Sequence, residues 1–110
     1  MPEEMKEVTP AQLREWKEHN QHFQLIDLRE EYEVAYCTIG GQHIPMGEII
    51  QHSDLIRKDI PVVFHCQSGK RSAAVVYALQ QKFHFENLFT LKGGVVAWGD
   101  EIDPGLECFR

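Results

Sequence analysis

The residues best suited to covalent chemistry lie in one short run, Cys66-Gln67-Ser68-Gly69-Lys70-Arg71-Ser72. A cysteine attacks as its thiolate, a form favoured at helix N-termini and beside cations. Cys66 has both in prospect, because Lys70 and Arg71 follow it and an apolar run suited to a helix, Ala73 to Leu79, begins directly after Ser72. Ser68 and Gly69 permit a tight turn whose backbone N–H groups point inward as an anion-binding nest, Gly69 being free of the Cβ penalty at positive φ. A helix starting near Arg71 adds the positive end of its dipole. Such a ring would hold a negative sulfur, or the oxyanion of a substrate, which is what transfer through a thiol requires. Arg71 is the bidentate candidate for a substrate anion and Lys70 the point charge at the rim. A single cysteine at a strand end is ordinarily just a small apolar side chain; the Ser, Gly, Lys and Arg that crowd after Cys66 favour the reactive thiol.

A loop of this kind needs a strand before it and a helix after it. Pro61-Val62-Val63-Phe64-His65 is a β-branched and aromatic run that reads as a central strand, its proline tolerated at the first position. The segment from Ala73 to Lys82 reads as a helix packed on a sheet. Upstream, Thr9-Pro10-Ala11-Gln12 marks a helix start, with Thr9 as N-cap and Gln12 as its capping-box partner. Phe23 to Leu28 reads as a strand ending near Asp27, Arg29 to Ala35 as a short acidic helix, and Thr38 to Pro45 as a short strand followed by a glycine-punctuated loop. Met46 to Ile50 suits one more helical turn, Leu88 to Leu91 another strand, and Gly93-Gly94 opens a last helix through Trp98. Strands alternating with helices predict an α/β sheet, parallel at least in its centre, and in such sheets ligands bind outside the carboxyl ends of the strands. The run from Cys66 to Ser72 has that address.

Composition sets the frame. The 110 residues, 43% hydrophobic and 25% charged, predict one globular domain over residues 1–110. Eleven Lys and Arg against seventeen Asp and Glu leave a formal charge of −6, which speaks against a nucleic-acid groove or an anionic membrane surface as partner. The longest apolar run, Ala73 to Leu79, is far short of the ~20 residues of a membrane-spanning helix. Met1 to Lys6 lacks the basic and apolar regions of a secretory signal, so a cytoplasmic location is expected. Three cysteines, an odd number, do not form a disulfide framework, and a reducing compartment with three separate thiols is the default. Neither Cys37 nor Cys108 has metal-ligand spacing with the other cysteines or the six histidines, so no metal and no cofactor is expected.

The sequence resembles a single-domain rhodanese, a sulfurtransferase module, over nearly its whole length. Cys66 to Ser72 resembles the family's active-site loop, opened by a cysteine and closed by an arginine; Asp27-Leu28-Arg29 resembles its Asp-x-Arg motif; Ile39 to Pro45 resembles its Gly- and His-bearing approach to Ile-Pro; Leu91-Lys92-Gly93-Gly94-Val95-Val96-Ala97-Trp98 resembles its Leu-x-Gly-Gly-x-x-x-Trp signature. The resemblance implies a five-stranded parallel sheet with helices on both faces. It further implies that Cys66 takes a sulfane sulfur from a donor such as thiosulfate or a persulfide and passes it to a thiophilic acceptor, cyanide or a cellular thiol. A protein donor or acceptor is a further partner it suggests. By the same resemblance Gln67, Ser68, Gly69, Lys70, Arg71 and Ser72 form the anion loop, and Asp27 and Arg29 are structural support, with Arg29 placed for an ion pair near the loop. Related phosphatases have a loop one residue longer; the four residues between Cys66 and Arg71 suit sulfur better than a phosphoryl group.

Two other functions compete. A sulfur-carrier or persulfide-binding module without turnover of its own is favoured by the overall negative field, which repels a small dianion. A thiol-based phosphate or arsenate enzyme ranks lower on loop length. Of the remaining residues, His65 neighbours Cys66 but points to the opposite face of the strand, which predicts a packed histidine rather than a base. Trp98, Phe64, Phe83 and Phe85 are expected in the core, and Glu30, Glu31 and Glu33 on a solvated helix face. Cys108 reads as an inert, mobile tail cysteine, with a resolving, sulfur-accepting or dimerising thiol as alternatives, and Cys37 as a candidate second redox thiol.

Overall fold

The computed structural model describes residues 5–108. Five strands, β1 (Lys6–Val8), β2 (Gln24–Asp27), β3 (Gln42–His43), β4 (Val62–His65) and β5 (Leu88–Leu91), form one sheet in the order β1-β5-β4-β2-β3, and every neighbouring pair is parallel. Helices α1 (Pro10–Glu18), α2 (Glu31–Tyr36) and α3 (Lys70–Phe83) connect β1 to β2, β2 to β3 and β4 to β5; single 3-10 turns at Met46–Glu48 and Ser53–Leu55 lie between β3 and β4, and α4 (Gly94–Glu101) follows β5. The predicted five-stranded parallel sheet with helices on both faces is the fold observed.

The two faces follow from the period-2 alternation of the central strands. Leu25 and Val63 face one way and pack with Val8, Leu91, Leu13 of α1 and Trp98 of α4. Ile26, Val62 and Phe64 face the other way and pack with Val75, Val76 and Leu79 of α3, with Ile49 and Ile56 from the 3-10 segments. Each such fully buried side chain contributes about 1.5–3 kcal/mol over its exposed state. Phe64, Phe85 and Trp98 are core residues as expected, and Phe83 packs against the core from a half-buried position.

Local chemistry sets the element starts. The Thr9 hydroxyl accepts from the Gln12 N–H at 3.1 Å while Gln12 Oε1 accepts from the Thr9 N–H at 2.9 Å, closing the predicted capping box. Pro61 lacks a donor yet offers its carbonyl to Gln24 N–H at 2.9 Å, so it can lead a central strand. Two expectations shift. The short strand near residue 40 falls after the glycines, at Gln42–His43, because Gly40 and Gly41 adopt positive φ and deliver the chain to β2 only beyond them. Helix α3 begins at Lys70, one residue before the start expected near Arg71, so the positive end of its dipole lies within the motif. Edge strand β1 has no counterpart in the sequence reading. Among the described residues no helix is long and apolar enough to cross a membrane.

Candidate active site

The chain leaves β2 outward toward β3 and leaves β4 in the other direction toward β5, so the carboxyl ends of β2 and β4 flank a topological switch point. Asp27 ends β2 and Cys66 directly follows β4, which brings both predicted site segments to that crevice.

Cys66 is 1% exposed and its thiol is free. Its Sγ accepts the Gly69 N–H at 3.1 Å and the Ser72 N–H at 3.5 Å, and lies 3.7 Å from Ser72 Oγ, which serves as acceptor for the thiol proton. The Ser72 hydroxyl donates in turn to the Gly69 carbonyl at 3.1 Å. Gly69 makes this possible at φ +103°, a left-handed N-cap conformation that a side chain would oppose. The N–H groups turn inward because the carbonyls are engaged outward: Val95 N–H donates to Cys66 O at 2.9 Å and Val96 N–H to Gln67 O at 3.1 Å. The first turn of α4 thus braces the loop from behind, and it comes close enough only because Gly94 has no Cβ; one placed there would collide with the Cys66 and Gln67 carbonyl oxygens. Gln67 is half-buried, Ser68 and Lys70 are exposed at the rim.

Arg71 differs from its expected role. Its Nη1 and Nη2 donate to Glu33 Oε1 and Oε2, both at 2.7 Å, so the fork that was to take a substrate anion already holds a carboxylate. Glu33 is accordingly 4% exposed rather than on a solvated face. Hydrogen bonding from Arg71 holds its carboxyl below the usual range against the opposing effect of burial, and the Glu30 N–H helps at 2.9 Å. The same pair raises Arg71. Sequence reasoning missed Glu33; the signal available was its place at the third position of an acidic short helix beside the Asp-x-Arg stretch, which local pattern alone reads as a solvated charge.

Asp27 and Arg29 form a buried pair, each 1% exposed. Arg29 Nη2 donates to Asp27 Oδ2 at 2.8 Å and Nε to Oδ1 at 3.0 Å, while Nη2 also reaches the Cys37 carbonyl at 2.7 Å. Burial would push the Asp27 carboxyl up, but the Arg29 hydrogen bonds, with His65 nearby, hold it down. The pair sets α2 against the end of β2, and α2 presents Glu33 to Arg71; the ion pair of Arg29 therefore reaches the loop through Glu33 rather than directly. His65 is fully buried on the sheet face away from Phe64, its Nε2 3.3 Å from Gly40 O, and desolvation pushes its pKa down to about 4. It is a neutral, packed imidazole at neutral pH.

The cysteine reading requires a correction. Cys37 and Cys108 are joined in a disulfide across 71 residues, with Cα atoms 5.4 Å apart, so they are neither separate thiols nor, for Cys108, an inert mobile tail. The cause is the turn after α4: Leu106 N–H closes onto Asp103 O at 2.9 Å and directs the following residues back to the C-cap of α2, where Cys37 sits. Among the described residues no group of three or more His, Cys, Asp or Glu is arranged to hold a metal.

Known proteins resemble the chain in sequence and in fold. Residues 9–101 match the family described as Rhodanese-like domain. YtwF of Bacillus subtilis (strain 168), whose assigned activity as a sulfurtransferase is itself provisional, is 40% identical over 103 residues, covering 92% of this chain and 97% of its own. MoeZ of Mycobacterium tuberculosis (strain ATCC 25618 / H37Rv), named with like provision as an adenylyltransferase/sulfurtransferase, is 32% identical over 90% of this chain, which spans only 26% of MoeZ. The crystal structure of a rhodanese-like domain protein from Staphylococcus aureus superposes with a TM-score of 0.79 at 30% identity, covering 96% of this chain and all of that one.

Proposed function

Because the chain belongs to the rhodanese-like domain family, we propose that it is a sulfurtransferase that carries a sulfane sulfur on Cys66 as a persulfide. The observation that carries this reading is the pair of backbone N–H groups, Gly69 at 3.1 Å and Ser72 at 3.5 Å, aimed at one buried sulfur. In the first step the Cys66 thiolate attacks the outer sulfur of the donor. The Cys66–sulfur bond forms, the donor's own sulfur bond breaks, and its electron pair leaves on the remainder, sulfite from thiosulfate or a thiolate from a persulfide. In the second step an acceptor thiolate or cyanide attacks the outer sulfur of the persulfide, and the electron pair returns to Cys66. The loop N–H groups stabilise the negative sulfur in both resting forms, and Ser72 Oγ is the local acceptor for the thiol proton. Ping-pong kinetics follow.

Donor class depends on charge. With Arg71 neutralised by Glu33, Lys70 is the cation left exposed at the mouth of the loop, and the chain carries −6 overall. That arrangement favours a persulfide of low charge over the thiosulfate dianion, and it keeps a second reading in play: a sulfur carrier that exchanges with a protein partner and turns over thiosulfate negligibly. The activities named for MoeZ, where a related segment is one part of a longer chain, support a protein partner.

The test is intact mass after exposure to thiosulfate and, separately, to a small-molecule persulfide. The native chain is expected to gain one sulfur, and Cys66→Ser none. Equal gain in both proteins overturns the assignment. Rapid loading from the persulfide with negligible steady-state turnover of thiosulfate at every ionic strength selects the carrier.

A further inference from the structure

The cystine formed by Cys37 and Cys108 lies outside the loop that holds the free thiol of Cys66. We propose that it is a second redox site, a substrate for dithiol reductants, and that its state sets how firmly Glu33 holds Arg71.

The two sulfurs are unequal. Cys37 is 8% exposed and enclosed by the buried Arg29, whose Nη1 lies 3.5 Å from Cys37 Sγ and whose Nη2 holds the Cys37 carbonyl at 2.7 Å. Cys108 is half-buried, in the segment that turns back after α4. An incoming thiolate therefore attacks Cys108 Sγ. The Cys37–Cys108 bond breaks and its electron pair leaves on Cys37, where the Arg29 guanidinium meets the new charge; a leaving thiolate so stabilised departs faster. The second thiol of the dithiol then attacks its own sulfur in the mixed disulfide and releases Cys108 as a thiolate. Both cysteines take up protons. One dithiol is oxidised to its disulfide and one cystine is reduced to two thiols. Glutathione disulfide reverses the exchange.

The consequence for the site runs through direct contacts. Cys37 is the C-cap of α2, its N–H bonded to Glu33 O at 3.1 Å. The Arg29 Nη1 that faces Cys37 Sγ also faces Glu33 O at 3.5 Å. The Glu33 side chain carries both hydrogen bonds of Arg71, the second residue of α3 and the last of the loop. In the oxidised chain the covalent bond to Cys108 pins the end of this six-residue helix. Reduction removes the pin and leaves the returning segment held by side-chain packing such as that of Leu106. Because Glu33 and Arg71 then separate more readily, the ring around Cys66 loosens.

Thiol counting and Cys66 reactivity test both parts without depending on sulfur transfer. After treatment with glutathione disulfide and then denaturation, the chain is expected to take one alkyl group, at Cys66, and after a dithiol, three; peptide mapping of the oxidised sample should link Cys37 to Cys108. Three alkyl groups in the oxidised sample, or a link that includes Cys66, overturns the redox site. Next, the rate of iodoacetamide reaction at Cys66 is measured in the folded oxidised chain, in the desalted dithiol-reduced chain and in Cys108→Ser. The last two are expected to agree with each other and to differ from the first by about two- to thirtyfold, the range of coupling through contiguous contacts. The same rate in the oxidised and reduced chains overturns the coupling, and the reduced wild-type chain supplies this comparison even where Cys108→Ser fails to fold.

Discussion

At the scale of single residues, the site turns on what Arg71 is free to do. Glu33 occupies both arms of its guanidinium, at 2.7 Å each, and is nearly fully buried in doing so. Glu33→Gln keeps the size and one acceptor but removes the charge that neutralises Arg71. The expected outcome is a selective change: the ratio of kcat/KM for thiosulfate to that for an uncharged persulfide donor rises several-fold, while stability falls by about 1–2 kcal/mol, moderated because Arg71 is 30% exposed and can turn to water. Steady-state kinetics with the two donors and a urea titration check it. A uniform loss with both donors would mean that Glu33 only stiffens the loop. Glu33 also has a pH signature. Its carboxyl is held low in the fold, so the stability it contributes is present above the ordinary carboxylate value and is lost as pH falls through the lowered one.

At the scale of elements, the thiol environment is the product of two helix starts meeting one strand end. The start of α3 supplies the N–H groups that reach Cys66 Sγ, and the start of α4 satisfies the loop carbonyls so that those N–H groups stay turned inward. The two glycines at these starts are therefore unequal. Gly69, at φ +103°, has only ordinary van der Waals distances around the place of a Cβ, so Gly69→Ala incurs the left-handed conformational cost of about 1–2 kcal/mol. Gly94, at φ +63°, adds a collision with the Cys66 and Gln67 carbonyls to that cost. Gly94→Ala is expected to lower Tm more than Gly69→Ala and to slow persulfide formation at Cys66, since α4 must move back from the loop. Thermal unfolding of the two variants with the single-turnover rate of sulfur loading decides it; equal shifts in Tm would contradict the bracing role of α4.

At the scale of the whole molecule, acid stability reports the buried polar group under the sheet. His65 is fully enclosed and its pKa lies at about 4, against 6.5 in the unfolded chain. Above pH 6.5 it is neutral in both states and contributes nothing. Between 6.5 and 4 the unfolded chain binds the proton and the fold does not, so stability falls by about 1.4 kcal/mol per pH unit, or about 3 kcal/mol across the window. Asp27, held low by Arg29, adds its loss only as pH falls below the ordinary carboxylate range. His65→Gln is expected to flatten the slope of urea stability between pH 6.5 and 4 and to leave the loss at lower pH. An unchanged slope would assign the acid sensitivity elsewhere.

Much of this was legible because it is local. Thr9-Pro10-Ala11-Gln12 declares a helix start through bonds that span three residues. The run Pro61 to His65 declares a buried strand, and the cysteine, glycine and cations from Cys66 to Arg71 declare an anion-binding turn at its end. The four motifs that resemble the family, taken in their order, sufficed for the parallel sheet and named Cys66 as the candidate thiol. Strand β1 was hidden because three residues, Lys6 to Val8, carry too little pattern and gain their role by pairing with β5, more than eighty positions away. Glu33 looked like a solvated charge until the sheet order brought α2 against α3, 38 residues away, and Cys37 and Cys108 looked unrelated until the turn after α4 closed a gap of 71. Sequence alone determined which thiol is the candidate and the kind of loop that holds it, since those depend on neighbours along the chain. Tertiary structure alone decided which charge Arg71 answers and which thiols are joined, since those depend on which distant segments the closed fold makes neighbours.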